Sequence, residues 1–243
     1  MTDTEQYKRT SMLIGQAAQE RLTSVRVAVF GLGGVGGAAA EALARAGVGE
    51  LDLIDKDRVE VSNINRQTVA FRDTVGELKT EIMRERIGRI EPDCRVRIYN
   101  VFYLPDTADQ IDLSVYDYIV DAIDTVTAKI ELITRADVLG VPVISCMGAG
   151  NRLDPTAFRV TDIYETHTDP LAKVMRRELK ARGIRALKVV CSDEKPVTPL
   201  PSDKLAAESE ADPRTPGSVS FVPPAAGLAM AGAVICDLIG KRE

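Results

Sequence analysis

The chain has no tryptophan, a single histidine (His167) and only four cysteines in 243 residues. Each scarcity removes a class of function. Cys94, Cys146, Cys191 and Cys236 stand 45 or more residues apart and include no CxxC pair. That excludes a zinc ribbon and a dense disulfide framework, and reduced thiols in a cytoplasmic protein are the expectation. Aromatic residues make up 5%, so base stacking would contribute little to any nucleic-acid affinity. His167, in the polar run ETHTDP, is expected as a surface or hydrogen-bonding residue rather than a general base. The N-terminal MTDTEQYKRT lacks the apolar core of a secretion signal.

Long apolar runs are scarce too. Only residues 217–236 carry no charge over a length that would cross a bilayer. Pro223-Pro224, Gly217, Gly227, Gly232 and the many alanines favour a buried strand (GSVSFV) followed by a helix over 224–239. Peripheral membrane contact is the alternative.

What is present belongs to a globular protein. Apolar residues reach 45% and charged residues 28%, which excludes disorder, a coiled coil and a collagen repeat. A chain of this length buries about 70–75% of its unfolded surface and needs no disulfide to fold. The net charge of −5 argues against a globally basic nucleic-acid binder but permits a local basic patch.

Apolar β-type runs alternate with helical periodicity along the chain. Helices are predicted over 5–22, 34–46, 76–90, 127–140 and 169–182, and strands over 25–31, 50–57, 95–101, 116–124, 141–146 and 156–164. Strands rich in Val and Ile alternating with helices predict an α/β fold, a doubly wound, Rossmann-like, mostly parallel sheet up to about residue 150. An irregular C-terminal extension follows, including a Pro-rich mobile loop over 193–216.

Gly31-Leu32-Gly33-Gly34-Val35-Gly36 fits GxGxxG directly after a strand and at the start of a helix, and Asp55 follows at the end of the next strand. Glycines there admit phosphate oxygens to the helix N-terminus, and the acid accepts a ribose hydroxyl. A nucleotide site is implied. Taken alone, the loop favours a nicotinamide or flavin dehydrogenase.

Further residues change the reading. SNINRQ presents Asn63, Asn65, Arg66 and Gln67 in one loop, Lys79 follows in GELK, and Asp121 and Asp124 end the strand of DAID. Phosphates take guanidinium and ammonium donors, and Mg²⁺ takes one or two carboxylates with phosphate oxygens. Arg66, Lys79 and Asp124 thus form a triphosphate and metal set, with Asp55, Asp57 and Asp124 at strand carboxyl ends, where α/β sheets bind ligands.

In this order GLGGVGG, LIDKD, SNINRQ, GELK and DAID resemble the adenylating superfamily of ubiquitin-activating enzymes and their bacterial relatives, the sulfur-carrier adenylyltransferases. The resemblance implies one adenylation domain over 1–243, with an ATP-binding half to residue 150 and a substrate-facing half over 151–243. It implies ATP and Mg²⁺, and attack of a carboxylate on the α-phosphate. Gly31, Gly33, Gly34 and Gly36 would form the phosphate loop, and Asp55 would hold the ribose. Asp57, Asn63 and Gln67 would complete the nucleotide site, Arg66 and Lys79 would hold phosphates, and Asp124 would bind the metal. The resemblance also implies a homodimer in which Arg9 reaches the partner's ATP.

The paired zinc cysteines of the sulfur-carrier adenylyltransferases are missing. SCMGAGNRLDPTAF, DIYETHTDPLAKVMRRELKARGI and GSVSFVPPAAG are instead similar to the tRNA threonylcarbamoyladenosine dehydratases. That family adenylates the threonine carboxylate of a modified adenosine in tRNA and lets the neighbouring carbamoyl group displace AMP, closing a hydantoin. Residues 172–188 hold seven basic side chains and one acid, and Lys173, Arg176, Arg177 and Lys180 share a helical face suited to a tRNA backbone. A solvated face is the plain alternative.

By position Cys191 and Cys236 are candidate relay thiols, although burial or incidence explains each better; Cys146 is expected in the core. The resemblance also allows a monovalent cation (Na⁺ or K⁺) near the glycine-rich second half, and a cysteine desulfurase or other sulfur-acceptor partner. Two further readings are an adenylyltransferase for a ubiquitin-like sulfur carrier and a catalytically silent scaffold. Intact Arg9, Arg66, Lys79 and Asp124 argue against the scaffold.

Overall fold

A computed structural model describes residues 5–199 and 216–240. The expected N-terminal helix is two helices, α1 (Lys8–Ile14) and α2 (Gln16–Leu22), because Gly15 sits at φ +87° and interrupts the helical backbone. The chain then alternates through β1 (Arg26–Phe30), α3 (Gly34–Arg45), β2 (Glu50–Ile54), α4 (Lys79–Ile90) and β3 (Arg95–Tyr99). It continues through β4 (Tyr118–Asp121), α5 (Val126–Leu139), β5 (Val143–Cys146), β6 (Phe158–Asp162), α6 (Pro170–Ala181), β7 (Lys188–Ser192) and α7 (Val222–Leu238).

The strands form one seven-stranded sheet in the order β3-β2-β1-β4-β5-β7-β6. Every neighbouring pair is parallel except β6–β7. Both halves of the chain therefore share one sheet. The central strands are buried along their length, as a sheet covered on both faces requires. On one face α3, α4 and α7 pack through Ala39, Leu43, Met83, Met230 and Val234; on the other, α5 and α6 pack through Ile133, Met175 and Leu179.

A strand expectation is also corrected. GSVSFV forms no strand: Gly217 exchanges hydrogen bonds with the Asn151 backbone and side chain, and helix α7 begins at Val222. Pro223 and Pro224 suit that first turn, whose N–H groups have no helical partner. Conversely, β7 was not predicted, its apolar stretch being only Val189, Val190 and Cys191. Residues 200–215 of the expected mobile loop lie outside the described residues. Among the described residues no helix is long and apolar enough to cross a membrane.

A buried charge cluster joins β1 and β2 within the sheet. Asp52 on β2 is fully buried, receives two hydrogen bonds from Arg26 at 3.2 and 2.6 Å, and accepts the Tyr116 hydroxyl at 2.9 Å. Burial, with the carboxylate adding to it, drives the Tyr116 hydroxyl well above the ordinary phenol range. Removing one member of such a cluster leaves the others without partners in low dielectric. Asp52→Ala is expected to lower stability by about 3 kcal/mol, read as a shift of the urea midpoint at unchanged slope; a midpoint within error of wild type would contradict this account.

Candidate active site

The strand order reverses between β1 and β4, and there the loops after the two strands diverge and leave a crevice, as at the switch point of any doubly wound sheet. A cleft of about 900 Å³ opens at this edge. One wall is the glycine loop. Gly31 has φ +87°, and a Cβ there would lie 2.7 Å from the Ala122 carbonyl oxygen, so only glycine lets the β1 and β4 turns touch. Gly33 and Gly34 line the cleft; Gly36 does not. A Cβ at Gly36 would lie 1.8 Å from the Gly31 carbonyl oxygen, so Gly36 is the packing glycine of the motif rather than a phosphate contact.

Asp55 follows β2 and accepts the Leu32 N–H at 2.6 Å and the Asp57 N–H at 2.7 Å. It therefore braces the glycine loop as well as facing the cleft. Each carboxylate oxygen keeps a lone pair for a ribose hydroxyl. Burial pushes the Asp55 carboxyl above its ordinary value, against the opposing charge of Lys79 and these two backbone donors.

Lys79, at the start of α4, is 5% exposed and its Nζ lies 3.1 Å from Asp57 Oδ2. Asn63 is buried, and its side-chain oxygen accepts the Glu60 N–H at 3.2 Å, which closes the short helical turn that precedes Arg66 and Gln67. Arg66 directs one nitrogen to the Ser62 carbonyl at 2.9 Å and the Asn65 side chain at 2.8 Å. Gln67 is 9% exposed and its Oε1 has no partner among the described residues, a costly state that a ligand donor would relieve. Asp57, Asn63, Arg66, Gln67 and Lys79 line the cleft with Asp124 and Thr125.

Asp124 is exposed, accepts the Thr125 hydroxyl at 3.2 Å and has no basic partner among the described residues. No group of three or more metal-ligating side chains occurs there. A lone carboxylate facing a phosphate loop fits Mg²⁺, which keeps several waters and binds through one or two carboxylates plus substrate phosphates.

The cleft extends past the nucleotide wall. Its far side is Met147 to Arg152 after β5, with Asp169, Pro170 and Leu171 at the start of α6. Arg152, 2% exposed, joins these pieces: it donates to the Gly148 carbonyl at 2.8 Å, to Asp169 at 2.5 Å and to the Glu194 carbonyl. Asp169 also caps α6 through the Ala172 N–H at 2.7 Å. Sequence reasoning missed Arg152 and Asp169; the NR and TDP runs that carry them give no local sign of a pairing across 17 residues.

The chain belongs to the ThiF family. Its family model matches residues 7–242. A curated relative, tRNA threonylcarbamoyladenosine dehydratase of Bacillus subtilis (strain 168), is 44% identical over 98% of this chain and 96% of its own length. A molybdopterin-synthase adenylyltransferase of Salmonella typhimurium (strain LT2) is 39% identical over 61% of this chain and 59% of its own. Among solved structures, the Escherichia coli tRNA N6-threonylcarbamoyladenosine dehydratase in complex with ATP matches with a TM-score of 0.87 at 36% identity, covering 98% of this chain and 95% of that one. The Rossmann-like, mostly parallel sheet expected from the alternating pattern is thus a ThiF-family sheet.

Other expected site residues lie apart from the cleft. Arg9 is exposed on α1 and does not line the cleft of its own chain. On α6, Lys173, Arg177 and Lys180 are exposed, but Arg176 folds back to the Thr166 carbonyl at 2.7 Å and to the Thr166 hydroxyl. Arg177 and Arg182 both pair with Glu178, and Lys188 sits in β7 paired with Asp237. The free basic face is smaller than its spacing predicts, because spacing places a side chain on a face without saying where its tip bonds.

Cys146 and Cys191 are buried, and burial pushes their thiols up to about 12 and about 11. Cys236 is exposed on α7. At pH 8 the thiolate fraction of a group near 11 is about one in a thousand, so neither buried thiol is poised as a nucleophile. Alkylation of the native protein at pH 8 is expected to modify Cys236 quickly and to leave Cys146 and Cys191 intact until denaturant is added. Rapid modification of Cys191, read by peptide mass, would contradict its burial.

Proposed function

We propose that the chain is an ATP-dependent tRNA threonylcarbamoyladenosine dehydratase, activating a carboxylate of a modified nucleoside by adenylation and closing it to a hydantoin. The observation that carries this reading is the continuity of the cleft, which joins a nucleotide wall (Gly33, Gly34, Asp55, Lys79) to a second wall (Met147 to Arg152) in one chamber. A carboxylate and an ATP α-phosphate can meet there. The B. subtilis and E. coli relatives of that name match over nearly the whole chain.

In this mechanism Asp55 orients the ribose, Lys79 and Arg66 hold the phosphates, and the glycine loop offers backbone N–H groups at the head of α3. Asp124 is the residue that would hold Mg²⁺, which when bound would neutralise charge on the triphosphate. A carboxylate oxygen of the threonyl group attacks the α-phosphorus and the bond to pyrophosphate breaks. The carbamoyl nitrogen then attacks the acyl carbon, AMP leaves with the former carboxylate oxygen, and a nitrogen proton passes to solvent. The nucleoside has lost one water. The second nucleophile belongs to the same nucleoside, so ring closure needs no thiol relay.

In this reading Arg9, which does not line the cleft of its own chain, reaches the ATP of a second copy, and the working unit is a homodimer. Lys173, Arg177 and Lys180 are exposed on α6, whose first residues Pro170 and Leu171 line the cleft, and they fit an RNA backbone. A tRNA substrate fits a cytoplasmic enzyme. An adenylyltransferase for a sulfur carrier is less well supported: the chain has no CxxC pair, and the molybdopterin-pathway relative matches only 61% of it.

The deciding experiment supplies ATP–Mg²⁺ and tRNA with or without threonylcarbamoyladenosine and measures AMP and nucleoside mass. AMP release with a loss of about 18 Da, one water from the ring closure, is expected only with the modified tRNA; no AMP and no mass change would refute the proposal. Mixed dimers of Arg9→Ala and Arg66→Ala protomers are expected to regain activity, since one site per heterodimer keeps both arginines. Absence of complementation in a confirmed heterodimer would remove the trans role of Arg9.

A further inference from the structure

Beneath the cleft lies a charged pair that the mechanism above does not use. Lys129, on the first turn of α5, is fully buried. Its Nζ donates to Asp121 Oδ2 at 2.9 Å and to Ser145 Oγ at 3.1 Å, and the Ser145 hydroxyl donates to the same Asp121 oxygen at 2.6 Å. Asp121 and Ser145 are likewise fully buried. They face each other in register at the carboxyl ends of β4 and β5.

For stability alone the arrangement is a poor choice. Burying a lysine and an aspartate carries a large desolvation cost, and apolar side chains of similar volume commonly serve as well or better. What the triad does have is position. The residue after Asp121 begins the cleft-lining stretch Ala122 to Thr125, which carries Asp124; the residue after Ser145 begins the cleft-lining stretch Cys146 to Arg152. The other Asp121 oxygen, Oδ1, accepts the Ile123 N–H at 3.2 Å and so shapes the turn that presents Asp124. Lys129 and Ser145 together occupy Oδ2 and leave Oδ1 for that turn.

We propose that Lys129 is a positioning residue for nucleotide activation: through Asp121 it sets the turn that places Asp124 over the phosphate loop, and through Ser145 it fixes that turn against the opposite wall. The inference rests on the adenylation reading for the role of Asp124. It does not depend on which carboxylate is activated. Groups that orient a ligand to a metal from behind commonly change metal affinity about 10- to 100-fold when removed.

The test measures ATP binding by calorimetry, with Mg²⁺ and with EDTA, for the whole wild-type protein and for Lys129→Met, Ser145→Ala, Asp124→Ala and the Lys129→Met/Asp124→Ala pair. Lys129→Met is expected to weaken binding about tenfold in Mg²⁺ and by less than about twofold in EDTA. In the Asp124→Ala background it should add nothing, because both changes act through one carboxylate. Ser145→Ala keeps the ion pair and is expected to give a smaller loss of the same kind, which carries the test if Lys129→Met does not fold. Equal weakening with and without Mg²⁺, an additive double variant, or wild-type affinity in folded variants would overturn the proposal. Because no tRNA is present, failure of the dehydration assay leaves this outcome readable.

Discussion

The site depends on one close approach of backbones. Gly31 ends β1 against the carbonyl of Ala122, which follows β4, at a distance that no side chain would permit. With those two turns in contact, the loops beyond them must diverge. The divergence is the cleft. Asp55 reinforces it from the end of β2 by holding the Leu32 N–H, so the phosphate loop is braced by β2 and β4 together rather than by its own glycines. A loop held this way costs little further ordering when a nucleotide arrives.

Around that contact the buried charges divide by task. Asp52 with Arg26 joins neighbouring strands within the sheet, away from the cleft residues. Lys79 with Asp57 lies in the cleft, where an anion can compete for the ammonium. Arg152 with Asp169 ties the loop after β5 to the head of α6 and builds the second wall. Lys129 with Asp121 lies under both walls. The last three pairs each join different elements around the cleft, and their common effect is to fix loops, which are otherwise the parts of a fold most free to move.

Much of this was readable in one sequence because it is written locally. The glycine loop, Asp55, SNINRQ, Lys79 and Asp124 each follow a strand or open a helix, and strand order then gathers them at one edge without further instruction. Pairings over distance were not readable. Arg152 and Asp169 look like ordinary loop residues, β7 is too short to stand out, and Arg176 looks like a free cation until Thr166 is folded beneath it. Helical spacing predicts faces; it says nothing of a long side chain that reaches back to another loop. GSVSFV fails differently, since its alternation is compatible with a strand but Gly217 bonds to Asn151 and two prolines start a helix.

The four cysteines sharpen the chemical reading. A relay through a thioester needs a thiol that ionises near neutral pH and can be reached by the acyl group. Burial holds Cys94, Cys146 and Cys191 far from ionising, and Cys236, though exposed, stands on α7 outside the residues that line the cleft. An acyl-adenylate formed in this chamber therefore meets no poised thiol of this chain and needs another nucleophile. A nucleoside carrying its own carboxylate and its own carbamoyl nitrogen meets that requirement, because the attacking atom is already tethered within bonding reach of the acyl carbon. The chamber needs only to hold the nucleotide still and keep water from the adenylate.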